Sequence, residues 1–384
     1  MKVRIRYHIN KSSVVKLIGD SKIADKFFYP LYSLSYETQD FSRLGIIKSS
    51  LPEFVDSHIL LDRKSLVIFG DLNLYKKISS AIFNVDEYAA NLTLELLNNF
   101  KQSENFYYEI SNRKFDNSKK YVMGVLNITT DSFYDGGEYI DYNKAKSRID
   151  EFVDLGVDII DIGGESTRPG SEPIPAEIEL ERILPAVEYA LKKNVVVSID
   201  TYKSTVAKKC LDIGAHIIND ISGFRFDGAL PTICSEYNSA IILMHIRGTP
   251  KTMQINPNYD DVMQEIFDEL NYSIRIAEMH SLNKIFVDPG IGFGKRLKDN
   301  YEIIQRLEEL KFLGYPILVG LSRKSFIGKL LNKEPKERLT GTIASNSVAL
   351  IKAANIIRVH DVNEAIETKK IIEAIQNPDK IVLE

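Results

Sequence analysis

The chain has 384 residues, room for one large domain and a smaller one, and its 44% hydrophobic and 27% charged content is that of a globular protein. A formal net charge of −4 argues against general nucleic-acid binding, which needs a basic face, although a local anion site takes only a few placed cations. No apolar run approaches the roughly 18 residues of a membrane span. The start, Met1-Lys-Val-Arg-Ile-Arg-Tyr7, lacks the apolar core of a signal peptide, so a cytoplasmic location is expected.

Residues 1–115 form one compositional block. It begins with strand-like alternation and holds a second strand candidate, Ser65-Leu-Val-Ile-Phe69, and a helical pattern from Asp86 to Phe100. It contains no phosphate loop, metal-ligand cluster or nucleophile signature. Lys101 to Lys120 is polar and rich in Asn, Ser, Lys and Asp, and reads as a linker. The expected division is therefore an N-terminal domain over 1–115 and a second domain over 116–384. Cys210 and Cys234 have no metal-ligand spacing and read as core residues of a reduced protein. Asn91 and Asn127 open N-x-T triplets, which carry no glycosylation meaning without a secretion signal.

From Tyr121 onward short apolar runs alternate with helical patterns. The runs are Tyr121–Ile128, Val157–Ile162, Val195–Ile199, Ile217–Ile221, Ala240–Met244, Lys284–Val287, Pro316–Leu321 and Ile356–Val359. Between and after them come helical patterns at Tyr142–Leu155, Ala176–Lys192, Ser204–Ile213, Tyr259–Met279, Asn300–Leu313 and Asn363–Ile375. Strands alternating with helices predict a parallel sheet, and eight units in this length predict a closed α/β (β/α)8 barrel with an additional small N-terminal α/β domain. An open doubly wound sheet would stop at five or six strands.

Almost every run ends in a residue able to make directed hydrogen bonds. The ends carry Asn127, Asp161 with Glu165 to Arg168, Asp200-Thr201, Asn219-Asp220, Met244-His245 with Arg247, Asp288 with Lys295, Ser322-Arg323-Lys324-Ser325, and Arg358 with His360-Asp361. Taken singly, each has a bland reading: a cap neighbour for Asp200, a surface ion pair for Lys324, a core histidine for His360. In a barrel the ends converge on one mouth, and the bland readings do not account for the set. Asp161, Asp200, Asn219 and Asp288 supply acceptors for a flat heterocycle with an amino-imine edge. Lys324 can donate to a ring carbonyl or ring nitrogen. Arg168, Arg358 and His360 suit phosphate oxygens, and Asn127 offers a neutral oxygen that suits Mg²⁺ carried by a phosphate.

These motifs together resemble dihydropteroate synthase over residues 121–375. They are Met123-Gly-Val-Leu-Asn-Ile-Thr129 with Asp131-Ser-Phe133, Gly163-Gly-Glu-Ser-Thr-Arg-Pro-Gly170, Ser198-Ile-Asp-Thr201, Asn219-Asp220, Met244-His245 with Arg247-Gly-Thr-Pro-Lys-Thr-Met253, Asp288-Pro-Gly-Ile-Gly-Phe-Gly-Lys295, Ser322-Arg-Lys-Ser-Phe326 and Arg358-Val-His360. The resemblance implies a transferase of folate biosynthesis that joins 6-hydroxymethyl-7,8-dihydropterin pyrophosphate to p-aminobenzoate and releases pyrophosphate. It implies pterin binding by Asp200, Asn219, Met244, Asp288 and Lys324, with Asp161 lining the same pocket. It implies pyrophosphate binding by Thr167, Arg168, Arg358 and His360, Mg²⁺ at Asn127, and an aminobenzoate site at Phe133, Pro169 and Ser325. Asp161, Asp200, Lys324, Arg358 and His360 would carry the catalysis, and the assembly would be a homodimer.

Thr130 stands where the family usually has proline, which leaves the first loop freer. Three other readings keep much of the pocket: a synthase that couples a modified arylamine for a folate-like coenzyme, a pterin-dependent methyltransferase, and a pterin-binding protein without activity. Gly163–Gly170 and Ser322–Phe326 speak against the methyltransferase; Asn127, Arg358 and His360 speak against the inactive binder.

Overall fold

The structure, a computed structural model, describes residues 1–8, 14, 17, 31–51, 59–61, 64–129 and 142–380. Its packing divides the chain into two compact units, Met1–Glu104 with Gln305–Gly314, and Asn105–Ile304 with Tyr315–Glu384.

In the first unit, strands β1 (Lys2–His8), β2 (Leu31–Glu37), β3 (Ile59–Leu61) and β4 (Ser65–Gly70) form an antiparallel sheet in the order β1-β2-β4-β3. Two helices, Leu72–Ile82 and Glu87–Glu104, belong to the same unit. Tyr75, Ile78 and Ile82 recur at helical spacing and are fully buried, which is the amphipathic pattern of a surface helix. Tyr36 on β2 hydrogen-bonds Thr93 of the second helix at 3.0 Å, so the one polar atom of a buried ring is satisfied. The segment Gln305–Gly314, mostly a 3₁₀ turn over Leu307–Leu313, joins this unit from late in the chain. Asn99 donates to the Phe312 carbonyl at 3.2 Å, Phe100 lies 5.1 Å from the Phe312 ring, and Lys311 pairs with Glu104 at 2.9 Å.

The second unit is the expected barrel. Strands β7 (Tyr121–Asn127), β8 (Ile159–Gly163), β9 (Val196–Asp200), β10 (Ile217–Asp220), β11 (Ala240–Met244), β12 (Ile285–Asp288), β13 (Ile317–Gly320) and β14 (Ala354–Val359) pair in parallel and close in chain order. Most are buried along their whole length, because helices cover one face and the barrel core the other. Met123, Ile159, Val196, Ile217, Ile242, Phe286, Leu318 and Ile356 fill the interior.

The stretch read as a linker is not one. Its first residues finish the helix Glu87–Glu104, and its remainder is a hairpin of β5 (Tyr107–Ile110) and β6 (Arg113–Asp116). Ser111 and Asn112 both take positive φ, the geometry of a two-residue turn between twisted strands. Every second side chain is apolar, and Phe106, Tyr108, Ile110 and Phe115 are buried in the barrel core. Tyr108 donates from its hydroxyl to the Ile285 carbonyl at 2.9 Å and stacks edge-on against Phe286 at 5.3 Å. Each such buried ring contributes roughly 1.5–3 kcal/mol, which explains why this polar stretch orders. The boundary therefore falls at Glu104/Asn105 rather than after residue 115.

Candidate active site

The floor of the mouth is built by strand ends. Asp200 and Asp288 close β9 and β12, Asn219 is the penultimate residue of β10, Asp161 lies at the centre of β8, and all four are at most 8% exposed. Arg358 of β14 reaches across them: its Nε donates to Asp161 Oδ2 and its Nη2 to Asp200 Oδ2, both at 2.6 Å. Asn219 Nδ2 donates to the same Asp161 oxygen at 2.9 Å. That bond fixes the amide so that its oxygen remains an acceptor. Asp161 Oδ1 is buried with no hydrogen-bond partner, the condition that a ligand N–H would relieve. Gly163 makes this crowding tolerable, since a methyl group there would sit 3.1 Å from Asp200 Cβ.

Burial shifts the titration of Asp200, Asp288 and Lys324. Desolvation raises the Asp200 carboxyl to about 7, with Asp161 adding to the shift and Arg358 opposing it. Asp288 is raised as well, again mainly by burial, with Lys324 opposing. Burial lowers the Lys324 ammonium to about 8 against the pull of Asp288. Lys324 donates to the Ile291 carbonyl and lies 4.7 Å over the Phe293 ring. A methyl group on Gly320 would stand 3.6 Å from Lys324 Nζ and 3.9 Å from Arg358 Cβ, so the two cations share the floor above β13. Met244 lies in an apolar cluster with Ile221, Ile246 and Met253, against which Phe293 packs.

The loop Asp288–Lys295 owes its shape to glycine. Asp288 Oδ1 accepts from Gly290 N at 2.7 Å, and Gly290 (φ 65°) passes so close to β11 that a Cβ would collide with the His245 carbonyl. Lys295, only 3% exposed, holds the far end by donating to the Phe293 carbonyl at 3.0 Å and approaching His245 Nδ1 at 3.0 Å. His245 is pushed down to about 3 by burial and by Lys295, so it is a neutral structural ring. Arg247 is likewise engaged, with Glu265 at 2.7 Å and Glu269 at 3.2 Å and its guanidinium 4.1 Å over Tyr259. Asp220 caps its own loop through Ser222 and Phe224. These internal contacts make the four residues part of the walls of the mouth.

The loop after β8 is latched at its base. Glu165 accepts from Tyr202 at 2.9 Å, from Ile174 N at 3.0 Å and from Lys203 at 2.5 Å. Lys203 also donates to Glu179 at 2.5 Å, and Arg182 holds the Gly164 carbonyl at 2.9 Å. Gly170 N donates to Pro250 O at 3.0 Å, which lays the loop against the one after β11. Between these anchors Thr167 is half-buried while Arg168 and Pro169 are exposed. Ser325 is exposed at the start of the helix Ser325–Leu331. Phe133 and the rest of the loop from Thr130 to residue 141 lie outside the described residues.

Beside the floor lies a cleft of about 350 Å³ lined by Val125, Leu126, Asn127, Lys144, Arg148, Arg168 and His360. Asn127, Arg168 and His360 were expected together. Lys144 and Arg148 were missed, because cations on an exposed helical face read as solvated charge. Thr167 and Arg358 are not among the lining residues, and Arg358 instead spans the two carboxylates of the floor. His360 Nδ1 approaches Ser322 Oγ at 3.2 Å. Among the described residues no group of three or more His, Cys, Asp or Glu could hold a metal. Asn127, a single neutral donor among cations, fits an ion already chelated by a phosphate and not a resident one.

A pterin-binding enzyme family profile matches residues 123–360. The dihydropteroate synthase of Escherichia coli K12 is 44% identical over 262 residues, 67% of this chain and 93% of that protein. The crystal structure of the Yersinia pestis dihydropteroate synthase with a sulfonamide drug superposes with a TM-score of 0.67 at 39% identity, covering 71% of this chain and all of that one. The Thermus thermophilus enzyme in complex with 4-aminobenzoate gives 0.64 at 37% identity, covering 70% and 100%. The buried acceptors, the glycine-shaped loop and the cationic cleft thus stand in a chain that belongs to the pterin-binding enzyme family, among its dihydropteroate synthases.

Proposed function

We propose that the chain condenses 6-hydroxymethyl-7,8-dihydropterin pyrophosphate with p-aminobenzoate to give 7,8-dihydropteroate and pyrophosphate. The observation that carries this reading is the pairing of a floor of buried acceptors, Asp161 Oδ1 among them without a donor, with a cationic cleft alongside. The floor suits the amino-imine edge of the pterin, bound by Asp200, Asn219 and Asp288, with Lys324 donating to the ring and Met244 beneath it. The cleft suits the pyrophosphate.

In the reaction the amine nitrogen bonds to the pterin methylene, the methylene C–O bond breaks with its electrons leaving on pyrophosphate, and the amine loses its proton. As the C–O bond lengthens, positive charge spreads into the ring, where Asp161 and Asp200 are already oriented to stabilise it without reorganising. Arg168 and His360 stabilise the departing anion. The latched loop carrying Thr167 and Pro169 closes over the arylamine and keeps water from the cation. No enzyme nucleophile is needed. Mg²⁺ bound by the pyrophosphate would neutralise part of its charge, with Asn127 holding the ion.

A homodimer is the proposed assembly, supported by the exposed apolar side chains Val348, Ile351, Ile371 and Ile375 on the last two helices. A cytoplasmic site is supported by two buried cysteines that form no disulfide.

The decisive experiment is pyrophosphate release from the pterin pyrophosphate with and without p-aminobenzoate. Release that requires p-aminobenzoate, with dihydropteroate as product, is expected. Release that occurs only with a modified arylamine would move the protein to the related synthase. Pterin binding without release under any condition would reject catalysis.

A further inference from the structure

The helix Tyr142–Asp154 buries Ala145, Ile149 and Phe152 against the barrel and turns Lys144 and Arg148, one helical turn apart, to the cleft. Arg148 is held in place on three sides. Its Nη2 donates to the His360 carbonyl at 2.6 Å, its Nη1 pairs with Glu151 at 2.6 Å, and its guanidinium lies 4.5 Å over the Phe152 ring. Lys144 is an exposed side chain on the same wall. With Arg168 they bring three permanent cations to a cleft whose described lining includes no acidic side chain, while His360, pushed down to about 4 by burial and by Arg358, lines it as a neutral ring. In a chain of net charge −4 this concentration of one sign is a local device for a multiply charged anion.

We propose that Lys144 is a pyrophosphate-binding residue and that Arg148 is a positioning residue that holds the His360 end of β14 against the leaving group. The proposal rests on the synthase reading and adds two residues from an element outside the strand ends. Lys144 brings a compact ammonium charge to the wall of the cleft, and Arg148 is held by its carbonyl, carboxylate and ring contacts. Both act on the phosphate end and not on the pterin ring.

The test compares wild type with Lys144→Ala, Lys144→Arg and Arg148→Met. Calorimetry measures inorganic pyrophosphate in Mg²⁺, calorimetry with unphosphorylated 6-hydroxymethyl-dihydropterin probes the ring site, and turnover gives the product-inhibition constant of pyrophosphate. Lys144→Ala is expected to weaken pyrophosphate binding and product inhibition by about tenfold, leave the unphosphorylated pterin unchanged, and flatten the salt dependence of pyrophosphate binding. Lys144→Arg should restore affinity to within about threefold. Arg148→Met should raise the KM for the pterin pyrophosphate and lower kcat together, again sparing the unphosphorylated pterin. Wild-type turnover with pyrophosphate binding identical in Lys144→Ala would overturn the proposal and leave the synthase reading standing. Absence of wild-type turnover with any arylamine would overturn both.

Discussion

At the scale of the residue, the mouth concentrates charge that burial makes costly, and the titrations follow from that. A raised carboxyl stays protonated until the pH passes its shifted value, so Asp200 becomes fully charged only above about 7. A lowered ammonium gives up its proton early, so Lys324 is charged only below about 8. Both carry charge together in the narrow window between. The kcat/KM for the pterin pyrophosphate is therefore expected to rise through about pH 7 and to fall through about pH 8. Lys324→Arg should abolish the falling limb, since a guanidinium does not titrate there, and leave the rising limb in place at reduced kcat. A profile flat between pH 6 and 9 would contradict the assignment of Asp200 and Lys324 to these limbs.

At the scale of the element, the loop after β8 is a span fixed at its base by a lysine shared between two buried carboxylates. Glu165 and Glu179 are 8% and 1% exposed, and Lys203 reaches both. Removing the lysine leaves two like charges buried together, whereas removing Glu165 leaves the Lys203–Glu179 pair intact. Lys203→Met should thus cost about 3 kcal/mol in urea denaturation and Glu165→Gln about 1 kcal/mol. Glu165→Gln leaves one acceptor oxygen for the three donors Ile174 N, Tyr202 and Lys203, which weakens the hold on the Ile174 end of the loop, so it should raise the KM for p-aminobenzoate several-fold while pterin affinity is retained. Equal losses for both substrates would mean that the latch supports the whole mouth rather than this loop.

At the scale of the molecule, the chain leaves the barrel after Ile304, contributes Gln305–Gly314 to the N-terminal unit, and re-enters at Tyr315. Phe312 is 1% exposed, its ring 5.1 Å from Phe100 and 6.1 Å from Tyr32. A barrel fragment must therefore begin near Asn105 to keep the hairpin plug, and it then bares Phe312. That fragment is expected to bind pterin but to aggregate where the full chain is monodisperse by light scattering, and Phe312→Ser within it should restore solubility. A fragment starting at Asn112 also loses Phe106, Tyr108 and Ile110 from the barrel core and should not melt cooperatively. Monodisperse behaviour of the unaltered Asn105 fragment would show that Gln305–Gly314 does not need the N-terminal unit.

The sequence by itself determined the barrel and the residues at its mouth. Parallel strands buried on both faces are locally apolar, and in this fold chain order is spatial order, so Asp161, Asp200, Asn219, Asp288, Lys324 and Arg358 could be placed together by counting runs. Tertiary structure alone decided what depends on contacts distant in the chain. The hairpin was hidden because only alternate residues of β5 and β6 are apolar, and their value comes from Phe286 and Tyr121 across the barrel floor. Lys144 and Arg148 were hidden because a cation on an exposed helix face looks the same in sequence whether water or a cleft lies beside it. Arg358 was legible as a cation at a strand end, but its engagement with Asp161 and Asp200 follows from closure of the barrel, which sets β14 beside β7 and opposite its partners' oxygens. Burial, too, is a property of the closed fold, and it is burial that moves the titrations of Asp200 and Lys324 toward neutrality.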